Sequence, residues 1–217
     1  GTQAYSAIPL VLAQCASPAC GLVQLTHTTP AAWMYGGVYW YRSSVNETMV
    51  AELREVVQAA ANRVVLRPGD VVVDIGANDG TLLQQYAGLG HPAVLTTAWE
   101  PVVQFYEGLR SKVRVLYPTY FHADTPWTLV HRATIITAIS MFYDLEDPHT
   151  FLQGITHILH PHGVCVIQQA YLPAMLEAAD MSNVCHEHLE YYDLRMLEAV
   201  LAPHGLEVMD VEARAIN

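Results

Sequence analysis

The stretch Val-Val-Val-Asp-Ile-Gly-Ala-Asn-Asp-Gly-Thr-Leu-Leu-Gln-Gln-Tyr, residues 71–86, decides the fold of this chain. Three β-branched residues lead into Asp74, a turn with Gly76, Asn78 and Gly80 follows, and an apolar helical pattern comes next. Glycines let a backbone approach a ligand closely, and the first turn of a helix offers unpaired N–H groups. The stretch therefore predicts a parallel strand that leads into a helix at a nucleotide-type site.

Strands and helices are predicted to alternate on the C-terminal side of this stretch. The predicted strands cover residues 71–74, 93–99, 113–116, 134–139, 164–168 and 206–211. The predicted helices cover residues 46–61, 80–86, 102–109, 148–159 and 194–201, and turns are predicted at 67–70, 161–163 and 204–205. Strands that alternate with helices pair in parallel, so the pattern indicates an α/β fold with a doubly wound, mostly parallel sheet.

The helix that precedes the first strand carries clear boundary signals. Asn46 can cap its first turn, and Met49, Leu53, Val56 and Val57 fall on one face at helical spacing. We expect this face to pack against the sheet.

Composition limits the classes of protein to which the chain can belong. Its 217 residues suffice for one domain and a small appendage, and 52% of them are hydrophobic. The formal net charge is −11 and Lys112 is the single lysine, which argues against nucleic acid as a partner. No apolar run approaches the ~20 residues of a membrane span, and the N-terminus lacks a signal-peptide layout. Four cysteines do not form a secreted disulfide framework, so we expect a cytoplasmic enzyme that does not enter a membrane.

Three residues at predicted strand ends are candidates for cofactor contacts. Glu100 follows the glycine turn by about twenty residues, where nucleotide-binding folds of this kind place an acid that accepts hydrogen bonds from ribose hydroxyls. An ordinary carboxylate that caps the next helix is the alternative. Ser140 and Met141 follow the strand at 134–139, and ligands of open parallel sheets bind at the carboxyl ends of strands.

A polar cluster, Cys185-His186-Glu187-His188, is the second unusual feature of the sequence. A zinc protease pattern, His-Glu-x-x-His, places two imidazoles on one helix face, but residues two apart in a helix point away from each other. A histidine that acts as general base beside a carboxylate is the better interpretation, because imidazole titrates near neutral pH. A polar turn with incidental histidines is the alternative.

Cys15 and Cys20 resemble half of a zinc knuckle. Two thiolates do not complete a four-coordinate structural site, so we expect this chain to bind no metal on its own. The alternative is a loop with two ordinary cysteines. If zinc were present, His27 would be the first candidate for a further ligand.

Several motifs in order produce a resemblance to a known family. Residues 74–80 resemble the first motif of the Rossmann-like methyltransferases that use S-adenosylmethionine (SAM). The other matching segments are residues 20–25, 41–49, 99–101, 139–148 and 185–192. Together they resemble the SAM-dependent nucleotide-sugar C-methyltransferase family, whose members act on 4-keto-6-deoxy sugars.

This resemblance implies a domain organisation. Residues 1–45 would be the remnant of a small N-terminal zinc-binding module, and residues 46–217 would be the Rossmann-like methyltransferase domain. The family's C-terminal domain would be absent. The spacing of Cys15 and Cys20 is C-x₄-C where the family has C-x₂-C, so zinc is expected only in a longer version of the protein.

The resemblance also implies roles for individual residues. His188 would be the general base with Glu187 beside it, and Tyr41 would line the site. SAM would contact the turn and the strand ends through Asp74, Gly76, Asn78, Glu100, Ser140 and Met141. Some members have Tyr at the position of Cys185 and His at that of Ser140, so the enolate would be stabilised differently here.

The substrate implied by the resemblance is a nucleotide-linked keto sugar that is methylated on carbon. A SAM-dependent O-methyltransferase with another small-molecule substrate is one alternative, and a non-catalytic SAM-binding module is another. The sequence carries no signal for an oligomeric state.

Overall fold

The computed structural model describes residues 7–18, 20–37, 39–91, 93–122 and 132–214. The strands are β1 (Leu12–Gln14), β2 (Val23–Leu25), β3 (Val71–Ile75), β4 (Leu95–Trp99), β5 (Val115–Tyr117), β6 (Ala133–Ile139), β7 (Leu159–Gln168) and β8 (Glu190–Tyr191). The helices are α1 (Ala31–Tyr35), α2 (Glu47–Ala61), α3 (Thr81–Gly88), α4 (Tyr106–Arg110), α5 (Pro148–Ile158), α6 (Leu172–Glu177) and α7 (Leu194–Leu201).

Five of the strands form one parallel sheet in the order β5-β4-β3-β6-β7. In the central register, Asp74 of β3 pairs with Ala98 of β4 and with Thr137 of β6. The carboxyl ends of these three strands therefore meet at one edge of the sheet. The predicted Rossmann-like, doubly wound architecture is confirmed.

Helices cover both faces of the sheet, and the predicted helix at 46–61 is confirmed as α2. The Asn46 side chain accepts hydrogen bonds from the backbone N–H groups of Thr48 and Met49. The predicted apolar face of α2 is buried against the side of the sheet that α3 also covers. Helices α5 and α7 pack on the opposite side.

A second, antiparallel sheet joins the N-terminal residues to the C-terminal half of the chain. Its order is β1-β2-β8, and the N–H of Leu25 also donates to the carbonyl of Leu189. The N-terminal segment thereby lies against the part of the chain that follows the His-Glu-His cluster.

Two local predictions were wrong. The structure assigns no strand to residues 206–211: Leu206 and Val208 pack against the core, but their backbone joins no ladder within the described ranges. The alternation of apolar residues at 206–211 therefore reflects side-chain packing and not strand pairing. The turn predicted at 161–163 lies inside β7, where the register shifts between the pairs Ala133–Leu159 and Ile135–Val164. The residues of β7 between these two pairs form an irregularity within the strand, and the strand does not end there.

Smaller differences concern boundaries. The strand predicted from residue 93 begins at Leu95, and the one predicted at 113–116 lies at Val115–Tyr117. The helix predicted at 102–109 is a 3-10 turn, Val103–Phe105, followed by α4. Throughout the described ranges, no helix combines the length and the apolar character that crossing a membrane requires.

Candidate active site

The turn after β3 adopts the backbone conformation that its glycines predict. Gly76 and Gly80 have φ values of +73° and +80°, and Asn78 has a φ of +51°. A Cβ atom at Gly76 would lie 3.4 Å from Cγ of Met141, so the Met141 side chain lies within van der Waals reach of the turn. Gly76 is half-buried and carries no side chain, so a ligand can approach its backbone closely, as expected of a cofactor cradle.

Glu100 meets this turn directly. Its Oε2 atom accepts a hydrogen bond of 2.7 Å from the backbone N–H of Asn78, and Oε1 accepts one of 2.7 Å from the N–H of Val102. Burial raises the pKa of Glu100 to about 7, while the two N–H donors oppose that rise. A carboxylate has about four acceptor positions, so ribose hydroxyls can still be bound. The structure thus brings Glu100 into contact with the turn, and the ribose contact stays a prediction.

Asp74 lies in the sheet below the turn and is buried. The Thr137 hydroxyl donates to its Oδ1 atom at 2.6 Å. Burial raises the pKa of Asp74 to about 7, the Thr137 bond lowers it, and the charge of Glu100 raises it further. The carboxyl thus links β3 to β6, and its predicted contact with the cofactor stays a prediction.

Residues 41–44 cover the turn through contacts that the sequence did not predict. The Asn78 side chain accepts a hydrogen bond from the N–H of Ser43 at 3.1 Å and donates one to the carbonyl of Tyr41 at 3.2 Å. Beside it, Asp79 accepts a bond of 3.1 Å from the N–H of Ser44. We call residues 41–44 the covering segment. Tyr41 therefore lies at the cofactor turn.

Ser140 lies at the end of β6 with a φ of +51°. Its hydroxyl donates to Oε1 of Gln168 at 2.8 Å, and its N–H donates to the Gln168 carbonyl at 2.8 Å. These bonds hold the end of β6 against β7. The next residue, Met141, lies beside Gly76. The contacts of Ser140 and Met141 with a cofactor stay predictions.

The two histidines of the cluster point to different partners. The Nε2–H of His186 donates to the carbonyl of Ile8 at 2.9 Å, in the N-terminal segment. The Nδ1–H of His188 donates to the carbonyl of Asn183 at 2.7 Å, and its ring centroid lies 4.2 Å from that of Tyr143. Because a carbonyl can only accept, His188 carries a proton on Nδ1, and in the neutral ring Nε2 is then the acceptor. The carbonyl of Asn183 therefore sets the tautomer, and no hydrogen bond joins Glu187 to this ring within the described residues.

Asp144 and Tyr35 complete this region, and sequence reasoning missed both. The Tyr35 hydroxyl donates to Oδ2 of Asp144 at 3.1 Å. Burial raises the pKa of Asp144 well above its ordinary value, while nearby His188 and the Tyr35 bond lower it. The signal available in the sequence was a carboxylate directly beyond the β6 strand end, in the segment that already contains Ser140 and Met141.

Charged groups from both halves of the site act on Tyr39. Burial raises the pKa of Tyr39, and the charges of Glu187 and Asp144 raise it further. Glu100, on the cofactor side, adds to the same rise. One aromatic side chain therefore lies within electrostatic reach of both the turn and the His-Glu-His cluster.

Cys15 and Cys20 are free and exposed, and they lie in the connection between β1 and β2. The pKa of Cys15 is lowered, first by a backbone hydrogen bond from Ser17 and then by the Cys20 thiol. Within the described residues, no three side chains of the metal-binding types come together. Zinc binding by a longer version stays a prediction.

A parallel sheet in this order, with a glycine turn after β3 and a buried acid after β4, defines a Rossmann-like class I methyltransferase fold. The chain matches the methyltransferase domain family over residues 45–211 and belongs to it. The cradle at Gly76 and the buried acid Glu100 fit SAM, the cofactor that this membership implies.

Similarity to individual proteins supports this assignment. The C-methyltransferase NovU of Streptomyces niveus is 26% identical over 201 residues, which are 91% of this chain and 47% of that protein. The chain thus spans about half the length of this curated relative.

Two solved structures share the fold. One is a chain of a Haloferax volcanii complex that contains the Trm112 methyltransferase activator, with a TM-score of 0.60 and 16% identity over 77% of this chain and 74% of that one. The other is the mycolic acid cyclopropane synthase CmaA1 in complex with SAH, with a TM-score of 0.56 and 12% identity over 76% and 63% of the two chains.

Proposed function

We propose that this protein transfers a methyl group from SAM to a ring carbon next to the keto group of a nucleotide-linked 4-keto-6-deoxy sugar. The observation that carries the proposal is the hydrogen bond of 2.7 Å between Nδ1 of His188 and the carbonyl of Asn183, which in the neutral ring leaves Nε2 to accept a proton. The similarity to a relative named as a C-methyltransferase supports the same reaction type.

The cofactor, when bound, supplies an electrophilic methyl group on a sulfonium. Gly76 and the N–H groups of the turn would hold its methionine part, and Glu100 would accept hydrogen bonds from its ribose hydroxyls. Met141, which packs on Gly76, would border it. The protein thereby holds two reactants in line, which is much of what such a site contributes to the rate.

His188 supplies the base. A carbon next to a ketone is a weak acid, and neutral imidazole can remove its proton near pH 7. The C–H electron pair moves into the bond to the carbonyl carbon, and negative charge develops on the carbonyl oxygen. When the carbonyl re-forms, the electron pair would return to the carbon, which would bond the methyl group as the sulfur–methyl bond breaks and the neutral thioether leaves. His188 would then release its proton to solvent.

The test is hydrogen exchange at the ring carbon in heavy water, with S-adenosylhomocysteine in place of SAM and a panel of nucleoside diphosphate-linked 4-keto-6-deoxy sugars as probes. His188→Asn keeps a polar side chain but cannot act as a base at this pH. We expect it to slow exchange by roughly 10²–10⁴-fold with little change in SAM affinity. His186→Asn is the matched control, because its ring faces Ile8, and it should lose much less.

Exchange at the wild-type rate in the His188 variant would remove His188 as the base. Product analysis by NMR addresses the reaction type, since a new methyl group on oxygen would show an O-methyltransferase. SAM binding without methylation of any probe would contradict the proposed activity and favour a non-catalytic SAM-binding module.

A further inference from the structure

The buried carboxyl of Asp144 has two oxygens in different situations. Oδ2 accepts the hydrogen bond from Tyr35 at 3.1 Å. Oδ1 is buried and has no hydrogen-bond partner in the part of the chain that the structure describes. Because nearly all buried polar atoms in folded proteins are paired, an unpaired one next to a candidate base points to a ligand contact.

The surroundings of Asp144 are those of the proposed reaction site. The ring of the preceding residue, Tyr143, packs at a tilt against the His188 ring, and the Tyr143 carbonyl accepts from the N–H of Leu189. Asp144 thus directly follows the residue that contacts the His188 ring, and this ring would remove the substrate proton. It also follows Met141, which packs on the cofactor turn.

The groups around Asp144 shift the pKa of its carboxyl. Burial raises its pKa well above the ordinary value, and Glu187 and Cys185 raise it further. His188 and the Tyr35 hydroxyl oppose this rise. Since Oδ2 is the oxygen that accepts from Tyr35, the proton of a neutral carboxyl belongs on Oδ1, where it can be donated.

We propose that Asp144 is a further catalytic residue, which donates a hydrogen bond from Oδ1 to the carbonyl oxygen of the acceptor and so stabilises the enolate. The proposal rests on the proposed function, because only a ketone acceptor develops negative charge at that oxygen. A neutral carboxyl in an apolar site can serve as such a donor. The proton stays on Asp144 while charge builds up on the substrate oxygen, and it is retained when the carbonyl re-forms.

A different role, in which an ionised Asp144 stabilises the imidazolium of His188, predicts different behaviour of variants. Asp144→Asn places an amide N–H₂ where the O–H stood and keeps an oxygen that accepts from Tyr35. Asp144→Ala removes both functions. A donor role is therefore retained in the Asn variant, whereas a role for negative charge is lost equally in both variants.

The experiment measures ring-carbon exchange and methyl transfer for wild type, Asp144→Asn and Asp144→Ala, with the same panel of keto sugars. We expect the Asn variant to stay within about tenfold of wild type and the Ala variant to fall by roughly 10²–10³-fold, the usual cost of losing one such donor. Glu146→Gln, an exposed carboxyl two residues further along, is the matched control and should react like wild type. Equal losses in the Asn and Ala variants, or an Ala variant as fast as wild type, would overturn the proposal.

A spectroscopic measurement needs no substrate and covers a failure of the Ala variant to fold. The infrared difference spectrum of wild type minus Asp144→Asn at pH 7 should contain the carbonyl stretch of a protonated carboxyl. A carboxylate band instead would overturn the proposal. If wild type neither exchanges nor methylates any keto sugar, the proposed function fails and this assignment with it. If wild type exchanges while the spectrum shows a carboxylate, only the assignment of Asp144 fails.

Discussion

Glu100 shows how one carboxylate can organise a cofactor turn. Its two oxygens accept from the N–H groups of Asn78 and Val102, so it links the ends of β3 and β4 before any ligand is present. An acid placed here is thus both part of the structure of the turn and a candidate acceptor for ribose hydroxyls.

We expect Glu100→Ala to weaken SAM binding about ten- to a hundredfold. The reason is the loss of charge-assisted hydrogen bonds worth roughly 1.5–3 kcal/mol. Isothermal titration with SAM measures the effect, and Glu107→Ala, an exposed acid on α4, is the control. An unchanged dissociation constant in a folded Glu100 variant would refute the assignment.

At the scale of elements, the covering segment is attached to the turn by side chains. Asn78 bonds to the backbone of Tyr41 and Ser43, and Asp79 bonds to Ser44. These contacts position the start of α2 relative to β3. The covering segment is therefore held against the turn although it lies outside the strand–turn–helix motif.

Two substitutions of Asn78 separate its side-chain bonds from its backbone conformation. Asn78→Gly keeps the positive φ without strain and loses both bonds, which should cost roughly 1–3 kcal/mol of the free energy of unfolding. Asn78→Ala loses the same bonds and adds the strain of a left-handed residue, about 1 kcal/mol more. Chymotrypsin cleavage at Tyr39–Tyr41 should become faster in both variants.

The matched control is Asn62→Gly, at an exposed right-handed position after α2. Its cleavage rate at the covering segment should equal that of wild type. Wild-type resistance to cleavage in the Asn78→Gly variant would show that the side-chain bonds do not hold this segment.

At the scale of the whole molecule, three buried carboxyls share one direction of pKa shift. Burial raises the pKa of Asp74 and of Glu100 to about 7, and it raises the pKa of Asp144 well above its ordinary value. The folded protein therefore retains protons that the unfolded chain loses near pH 4. The burial of three such carboxyls at this edge of the sheet therefore lowers the free energy of unfolding at neutral pH.

We expect the free energy of unfolding of the ligand-free protein to fall as the pH rises from about 4 to 7. Each raised carboxyl contributes stability that is present below its unfolded pKa and is lost through its folded pKa, at most about 1.4 kcal/mol per pH unit. Urea unfolding over this range measures the slope. Asp74→Asn should reduce it, and Glu198→Gln, an exposed carboxyl on α7, should not. Stability that increases over this range would contradict the prediction.

Local patterns were sufficient for much of the fold. The β-branched run and glycine turn at 71–86 predicted β3 and the start of α3, and the Asn46 cap predicted α2. The sequence also predicted that Glu100 directly follows a strand, and the structure has it directly after β4. These features depend on neighbouring residues or on the period of apolar side chains, which a sequence displays directly.

Long-range contacts decided the rest. Whether residues 206–211 pair with a strand, which carbonyl holds the His188 ring, and which tyrosine reaches Asp144 all depend on segments far apart in the chain. The Tyr35–Asp144 bond joins residues 109 positions apart. Candidates such as Glu100 and His188 were therefore evident from the sequence, whereas Tyr35 and Asp144 were not. The pairing, hydrogen bonds and burial of all these residues depend on distances and solvent exclusion that exist only once the chain has folded.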